Sequence, residues 1–163
     1  MKNLKPYFIL AISAIAALVF ILSFTQRAAG TPTELKEVVV EVDTIQAIDS
    51  LVEALIFVES RGKEDAIGDT HLGDPSIGVL QIRPIMVREV NRILKKKKSK
   101  MRFQMKDRFD RKKSIWMFMI WKEYHHPTDN FETIARNWNG GPNGYRFKRT
   151  EQYWNKVKAQ LEL

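Results

Sequence analysis

One glutamate, Glu59, combines a residue type and a position that suit acid catalysis. It follows four apolar residues spaced three or four apart, so the carboxylate lies on the apolar face of a predicted helix that Gly62 is placed to stop. Partial burial and the negative end of the helix dipole both disfavour the charged form, so we expect a raised pKa. A carboxylic acid protonated near neutral pH can donate a proton to a leaving oxygen, as cleavage of a glycosidic bond requires. The four apolar residues are Ile45, Ile48, Val52 and Leu55.

Two later motifs carry amide and aromatic side chains that suit a sugar ligand. The first is Gly78–Ile82, which contains Gln81, and the second is Asn137–Gly141, which contains Trp138 and Asn139. Side-chain amides can hydrogen-bond the hydroxyl and N-acetyl groups of sugars. An indole can stack on a sugar ring or fill the core, and the core is the commoner place for a lone tryptophan. An isolated glutamate is more often an exposed residue at a helix end, so the catalytic interpretation of Glu59 depends on these two motifs.

Two aspartates in the loop after Glu59, Asp69 and Asp74, are candidates for a second catalytic carboxylate. An inverting hydrolase needs such a partner, at a separation from the acid that leaves room for a water molecule. The same loop, residues 62–77, is rich in glycine and contains Pro75, and aspartates in such loops commonly stabilise turns. We favour the turn interpretation, which leaves Glu59 as the single catalytic carboxylate.

Composition and charge narrow the classes of site and partner. The 163 residues carry a net charge of +8 and include no cysteine, which excludes disulfides, thiolate metal sites and a cysteine nucleophile. Twelve basic residues lie in residues 92–113, so this segment is expected to be either a solvated, mobile connection or a contact with an anionic wall polymer or lipid head groups. Because the lysine run has no interleaved aromatic residues, we expect no nucleic-acid partner.

The adjacent histidines His125 and His126 raise the possibility of a metal site. The only other histidine is His71, and no cysteine is available at ligand spacing. A role at the end of a helix is therefore favoured. We expect the protein to need neither a metal nor another cofactor.

An uncharged, almost wholly apolar run, Tyr7–Phe24, predicts a membrane-spanning helix near the N-terminus. Lys2 and Lys5 precede it, which predicts that the N-terminus stays in the cytoplasm and that the rest is exported. Residues 1–30 are thus expected to be a signal anchor in the cytoplasmic membrane, with the domain facing the periplasm or cell wall. Cleavage of the same segment as a signal peptide would instead release a secreted protein.

The remaining chain predicts a linker, residues 31–43, and one small helical domain, residues 44–163. Asp43 and Gln46 match a capping box, which predicts that the first domain helix starts there and runs to about Ser60.

Further signals predict the later elements of the domain. Pro84 is favourable in the first turn of a helix, and Asp110 and Thr150 are candidate N-caps. The uninterrupted apolar run Ile115–Trp121 predicts a helix in the centre of the domain. A short helix is expected over residues 133–138, followed by an irregular loop over residues 139–144, and a minor β element is expected near residues 76–82. The fold class is therefore mainly α.

In their order along this helical background, Glu59-Ser60, Gly78–Pro84 and Asn137–Gly141 resemble the motifs of the catalytic domain of soluble lytic transglycosylases. That family belongs to the goose-type lysozyme superfamily. Its members have a Glu-Ser pair, then Gly-Leu-Met-Gln with a nearby proline, then Ala-Tyr-Asn-x-Gly. The resemblance spans about residues 44–160 and implies an α+β, lysozyme-like fold.

The resemblance also implies a role for each matched residue. Glu59 is similar to the family's catalytic acid, which later acts as the base, and Ser60 to the serine that helps shape the site. Gln81 and Asn139 match residues that line the sugar-binding cleft. Trp138 stands where the family usually has tyrosine, so this position can stack on a sugar but offers no phenol hydroxyl.

The implied activity is cleavage of the β-1,4 bond between N-acetylmuramic acid and N-acetylglucosamine in peptidoglycan, with formation of 1,6-anhydro ends. One glutamate suffices, because the N-acetyl group assists departure and Glu59 then accepts the proton of the 6-hydroxyl. Two alternatives stay open. One is a hydrolytic lysozyme or endolysin that uses Asp69 or Asp74, and the other is a non-catalytic, membrane-anchored peptidoglycan-binding protein.

Overall fold

A computed structural model describes residues 32–162 of the chain and the side chains of residues 46–162. With 64% helix and 4% strand, it confirms a mainly α protein with a minor β element. The candidate site lies within one compact unit, Gln46–Leu163. The helices are α1 (Pro32–Ser60), α2 (Pro84–Lys96), α3 (Arg111–His125), α4 (Phe131–Gly140) and α5 (Glu151–Leu161), and the strands are β1 (Ile67–Gly68) and β2 (Ser76–Ile77). Three short 3₁₀ helices comprise Met105–Phe109, Gly144–Arg146 and Lys148–Thr150.

Helix α1 starts earlier than the capping pattern predicts. It begins at Pro32, so the predicted linker over residues 31–43 is helical from that proline onward, and Asp43 lies inside the helix rather than at its N-cap. Proline is well suited to the first helical position, and no glycine or further proline interrupts the next residues. The predicted end at Ser60 is confirmed, because Arg61 and Gly62 both have positive φ angles, 55° and 79°.

The predicted membrane anchor, Tyr7–Phe24, lies outside the described residues. Among residues 32–162, each helix is too short or too polar to cross a bilayer.

The β element joins the end of α1 to the start of α2. Strands β1 and β2 pair antiparallel, with Ile67 opposite Ile77, and Ile77 also bridges to Ile82. The predicted element near residues 76–82 is thus present, and it recruits a second strand from the preceding loop. Gly78 has a φ of 78°, and a Cβ there would collide with the carbonyl of Arg108, so the turn requires glycine.

The hydrophobic core forms where the five helices and the turn after β2 meet. Helix α2 packs one apolar face into this core through Val87, Val90 and Leu94. The expectation that the apolar run Ile115–Trp121 lies in the centre of the domain holds for only one face of α3, because Trp116 is 53% exposed. Helical geometry turns residues three and four apart to one side, so the core takes only one face of this helix. The buried face of α3 consists of Ser114, Met117, Phe118 and Trp121.

Two of the three start signals predicted for the later helices are confirmed. Pro84 occupies the first turn of α2, and the Asp110 carboxylate accepts a 3.0 Å hydrogen bond from the Lys113 amide, as predicted. The predicted capping role of Thr150 is wrong. Its hydroxyl lies 2.7 Å from the carbonyl oxygen of Gly144 and makes no cap bond to α5. A buried carbonyl on the preceding turn is the better acceptor for a buried hydroxyl.

The basic segment over residues 92–113 is folded onto the domain, which argues against a mobile connection. The Asn91 side chain exchanges two hydrogen bonds with the backbone of Phe103, at 2.8 and 2.9 Å. The buried Arg108 guanidinium donates to the carbonyls of Pro75 and Ile82. One of the twelve basic residues, Arg108, is therefore buried and holds this segment to the backbone near β2.

Candidate active site

A cavity of about 920 Å³ lies between the end of α1, the β element, α2, and the ends of α3 and α4. Its walls combine carboxylates, amides, imidazoles and indoles, which is the mixture expected for a polar ligand with apolar ring faces. Its lining residues are Glu59, Gly68, Asp69, Ser76, Gln81, Ile82, Arg83, Ile85, Met86, Glu89, Trp121, His125, His126, Asn137, Trp138, Asn139, Gly140, Gly141 and Pro142.

Glu59 lies in the last turn of α1 and presents a half-buried carboxylate to this cavity. Burial is the largest influence on its pKa and raises it, and the negative charge of Asp69 adds to the rise. Hydrogen-bond donation by Tyr153 and, more weakly, Trp138 lowers it. The resulting pKa is about 7, against an ordinary value of 4.5. The carboxyl group can therefore both give and take a proton near neutral pH.

Tyr153 contacts the Glu59 carboxylate directly, although the sequence alone did not predict a role for it in the site. It lies on α5, and its hydroxyl donates a 2.7 Å hydrogen bond to Oε1 of Glu59. Burial and the neighbouring carboxylate raise the pKa of Tyr153 well above 10, so it stays a donor. The only signal in the sequence was its place on the apolar face of α5, which equally suits a core residue.

Ser60 positions the site from outside the cavity. Its hydroxyl donates a 2.9 Å hydrogen bond to the carbonyl of Val79, which fastens the end of α1 to the turn after β2. Ser60 does not line the cavity, so its place fits a shaping role and not a direct contact with a ligand.

Gln81 lines the cavity, but its amide is already engaged. The Nε2 group donates to the carbonyls of Gly78 and Ala66, at 2.9 and 3.3 Å, and Oε1 accepts from the hydroxyl of Ser76 at 2.9 Å. Gln81 also has a positive φ of 45°, a conformation that these bonds hold in place. The side chain can still accept one further hydrogen bond at Oε1, while its main role is to order the β element.

The third motif spans the end of α4. Trp138 packs edge-on against Phe118 and Trp121, with ring centroids 5.1 and 5.2 Å away, and still reaches the cavity beside Glu59. Its indole therefore serves the core and the cavity wall together. Asn139 is exposed at the cavity rim in the last turn of the helix. The irregular loop predicted from residue 139 begins two residues later than expected.

That delay has a local cause at Gly141 and Asn137. The helix includes Gly140 and ends there, because the next residue, Gly141, has a φ of 84°, which is incompatible with a right-handed helix. The buried side chain of Asn137 accepts a 2.9 Å hydrogen bond from the amide of Tyr145, which closes the loop beneath the motif.

The two candidate second carboxylates occupy different places. Asp69 lies at the cavity rim, where its charge raises the pKa of Glu59, and it has a φ of 54° in a turn closed by the amide of Leu72. Asp74 is exposed, does not line the cavity, and lies 3.9 Å from Arg88. The geometry thus leaves Asp69 as the one of this pair that can act on a ligand beside Glu59.

Part of the cavity lining is a polar cluster around the adjacent histidines, for which the sequence predicted only a role at the end of a helix. His125 is the last residue of α3, and its Nε2 lies 2.7 Å from the carboxylate of Glu89. Hydrogen bonding by Arg92, followed by that of His125, lowers the pKa of Glu89 to about 2 although burial opposes it. The Nδ1 of His126 lies 2.6 Å from Asp129. Each imidazole is therefore oriented by a carboxylate while it lines the cavity.

Within the described residues, no three histidine or acidic side chains are arranged to hold a metal ion. A comparison with protein-family models and with curated proteins finds no match to this chain. Evidence for its function therefore comes from its own residues and their geometry.

Proposed function

We propose that this protein is a peptidoglycan lytic transglycosylase with a lysozyme-like fold and Glu59 as its catalytic acid and base. The observation that carries the proposal is the cavity-facing carboxyl group of Glu59, whose pKa lies near 7. The three motifs that suggested the activity border one cavity through Glu59, Gln81, Trp138 and Asn139, with Ser60 bracing the first motif from behind.

The proposed reaction begins with a proton on Glu59. That proton passes to the bridging oxygen of the β-1,4 bond, which leaves as the hydroxyl of N-acetylglucosamine while the N-acetyl group of the muramoyl residue assists at the anomeric carbon. The 6-hydroxyl oxygen of the muramoyl residue then bonds to the anomeric carbon, and its proton returns to Glu59. No water is consumed, and one carboxyl group restored to its starting state completes the cycle.

Trp138 and Asn139 supply the proposed contacts to the glycan. Trp138 offers its indole beside Glu59, and Asn139 offers an amide at the rim that forms no side-chain hydrogen bond with the other residues of 46–162. Gln81 contributes mainly by ordering the β element, with one free acceptor site toward the cavity.

A hydrolytic, lysozyme-type reaction is the second candidate, and one observation favours it. Asp69 lines the same cavity and is close enough to raise the pKa of Glu59. A second carboxylate could activate water for attack at the anomeric carbon. Its exposure and its turn geometry make this role the weaker of the two.

Mass spectrometry of digested peptidoglycan distinguishes these reactions. The wild-type protein is expected to produce 1,6-anhydromuramoyl ends, whereas a hydrolase would produce reducing ends with incorporated oxygen from labelled water. Peptidoglycan that is bound without being cleaved would instead identify a non-catalytic wall-binding protein.

The proposed location follows from the sequence. We propose that residues 7–24 anchor an exported domain in the cytoplasmic membrane, where glycan strands of the wall are within reach. Fractionation of cells, followed by the intact mass of the membrane-bound chain, tests anchoring and cleavage together.

A further inference from the structure

The segment over residues 95–112 exposes seven lysines together with three apolar side chains, and these ten residues are called here the basic–apolar surface. They are Lys95–Lys98, Lys100, Met101, Met105, Lys106, Phe109 and Lys112. Met101, Met105 and Phe109 are 45%, 42% and 41% exposed. The charge of this segment is evident from the sequence, whereas the exposure of these apolar residues is evident only from the structure.

The backbone under this surface is ordered. Helix α2 ends at Lys96, and the chain is then pinned by the paired hydrogen bonds between Asn91 and Phe103. In the following 3₁₀ helix, Asp107 and Arg108 point into the domain, and Met105, Lys106 and Phe109 remain exposed. The basic–apolar surface is therefore presented by a fixed backbone, which lowers the entropy cost of binding.

Most of the charge on this surface is uncompensated. Among residues 46–162, none of its seven lysines forms an ion pair, whereas other basic side chains of the same segment bond to Glu89, Glu53 and Asp107. Unpaired exposed lysines attract a surface of opposite charge. The seven lysines are Lys95–Lys98, Lys100, Lys106 and Lys112, of which Lys96 donates a 2.8 Å hydrogen bond to the hydroxyl of Tyr124.

The apolar residues decide between two anionic surfaces. A hydrated polymer such as a wall polyanion can bind the lysines but provides no apolar environment for Met101, Met105 and Phe109. A bilayer can bind both kinds of side chain, because the lysines reach the lipid phosphates while the apolar side chains enter the boundary of the acyl chains. Three exposed apolar residues among unpaired lysines therefore fit a lipid surface better.

We propose that the basic–apolar surface docks on a bilayer that contains anionic lipid. Docking would fix the orientation of the domain relative to that bilayer, whether or not the catalytic proposal holds, because the surface shares no residue with the cavity lining.

The absence of cysteine allows a direct test with the full chain. A Met105→Cys variant carries the fluorophore NBD and is reconstituted either in phosphatidylcholine vesicles or in vesicles that also contain phosphatidylglycerol. Any N-terminal anchor is present in both kinds of vesicle, so a difference in NBD emission between them reports contact of the domain surface with the lipid. We expect a shift of NBD emission to shorter wavelength only with phosphatidylglycerol, and no shift for NBD at Leu72→Cys, an exposed apolar position elsewhere in the domain.

Charge variants test the role of the lysines. The triple variant Lys95→Gln, Lys97→Gln, Lys100→Gln should lower the docking constant ~100-fold, at roughly fivefold per lysine. A matched control, Lys63→Gln, Lys148→Gln, Lys156→Gln, has the same net charge and should dock normally. Equal losses in both variants would reduce the effect to net charge and overturn the proposal.

The apolar variant Met101→Ser, Phe109→Ser separates lipid from polymer. Its docking should fall by about tenfold per side chain if the side chains enter the bilayer, and Met101→Ser alone gives the answer if circular dichroism shows that the double variant is unfolded. Unchanged docking would overturn the proposal. So would an NBD shift produced by soluble polyglutamate in phosphatidylcholine vesicles, which would assign the surface to a hydrated polyanion.

Discussion

The hydroxyl of Tyr153 donates a 2.7 Å hydrogen bond to Oε1 of Glu59, across a separation of 94 residues in the chain. This donation favours the charged carboxylate, while burial and the charge of Asp69 oppose it, and the balance is a pKa of about 7. A pKa near the working pH suits a group that must first donate and later accept a proton. The bond therefore connects the last helix of the domain directly to the proposed chemistry.

Replacement of Tyr153 with phenylalanine should raise the pKa of Glu59 further, because the donor that stabilises the carboxylate is lost. The proposed reaction begins from protonated Glu59, so the alkaline fall of kcat/KM should move to higher pH. A pH profile of glycan cleavage measures this shift. Tyr145→Phe, which alters an exposed ring outside the cavity, is the control. An unmoved profile in folded Tyr153→Phe would mean that this hydroxyl does not act on the reacting carboxyl group.

Glu59→Gln should lower the rate of cleavage by about 10²–10⁴-fold, since the amide cannot exchange the proton. Binding to purified peptidoglycan should persist, because the other cavity residues are unchanged. Release of soluble glycan fragments measures the rate, and sedimentation with peptidoglycan measures binding. Glu64→Gln, an exposed loop glutamate, is the matched control. Near-normal cleavage by a folded Glu59→Gln protein would refute the assignment and direct attention to Asp69.

The raised pKa of Glu59 also predicts a pH dependence of stability. Between about pH 4.5 and 7 the unfolded chain loses this proton while the folded protein keeps it. The folded state then binds more protons, so the free energy of unfolding should fall as the pH rises through this window. The loss should be about 3 kcal/mol and should persist above the window.

Glu59→Gln isolates this effect, because every other titrating group is retained. The difference in unfolding free energy between variant and wild type should be smaller near pH 4 and should favour the variant near pH 8, as measured by urea denaturation. A difference that does not change with pH would show that Glu59 titrates at its ordinary value.

Gln81→Ala and Asn139→Ala should both weaken glycan turnover, for different reasons. Gln81 makes three internal hydrogen bonds, so its loss should destabilise the β element by about 1–3 kcal/mol. Asn139 is exposed at the rim, so its loss should leave the unfolding midpoint unchanged. Chemical denaturation combined with steady-state kinetics separates the two. Normal turnover by Asn139→Ala would remove this residue from the proposed cleft.

Asp69→Asn should lower the pKa of Glu59, because it removes a negative charge that now raises it. If one glutamate suffices, the products should keep their 1,6-anhydro ends and the alkaline limb of the pH profile should move to lower pH. Asp74→Asn, which alters an exposed residue outside the cavity, should change neither property. Loss of more than about 10²-fold in Asp69→Asn would favour the hydrolytic reaction.

Features that depend on neighbouring residues could be predicted from the sequence. The start of α2 at Pro84, the cap at Asp110 and the end of α1 at Ser60 all agree with local signals. The capping predictions at Asp43 and Thr150 were wrong, because a residue caps a helix only where no more favourable backbone conformation or hydrogen bond is available to it. For Asp43 the competitor was a longer helix, and for Thr150 it was the buried carbonyl of Gly144.

The sequence by itself determined that Glu59 ends a helix with an apolar face, and that three motifs follow one another in a set order. Only the tertiary structure decided that Tyr153 reaches Glu59, that the amide of Gln81 turns inward, and that His126 faces the same cavity. Periodicity shows which face of a helix is apolar, but it does not show which distant residue that face will meet. That choice depends on how α1, α3 and α5 pack around one core, and therefore on contacts far apart in the chain.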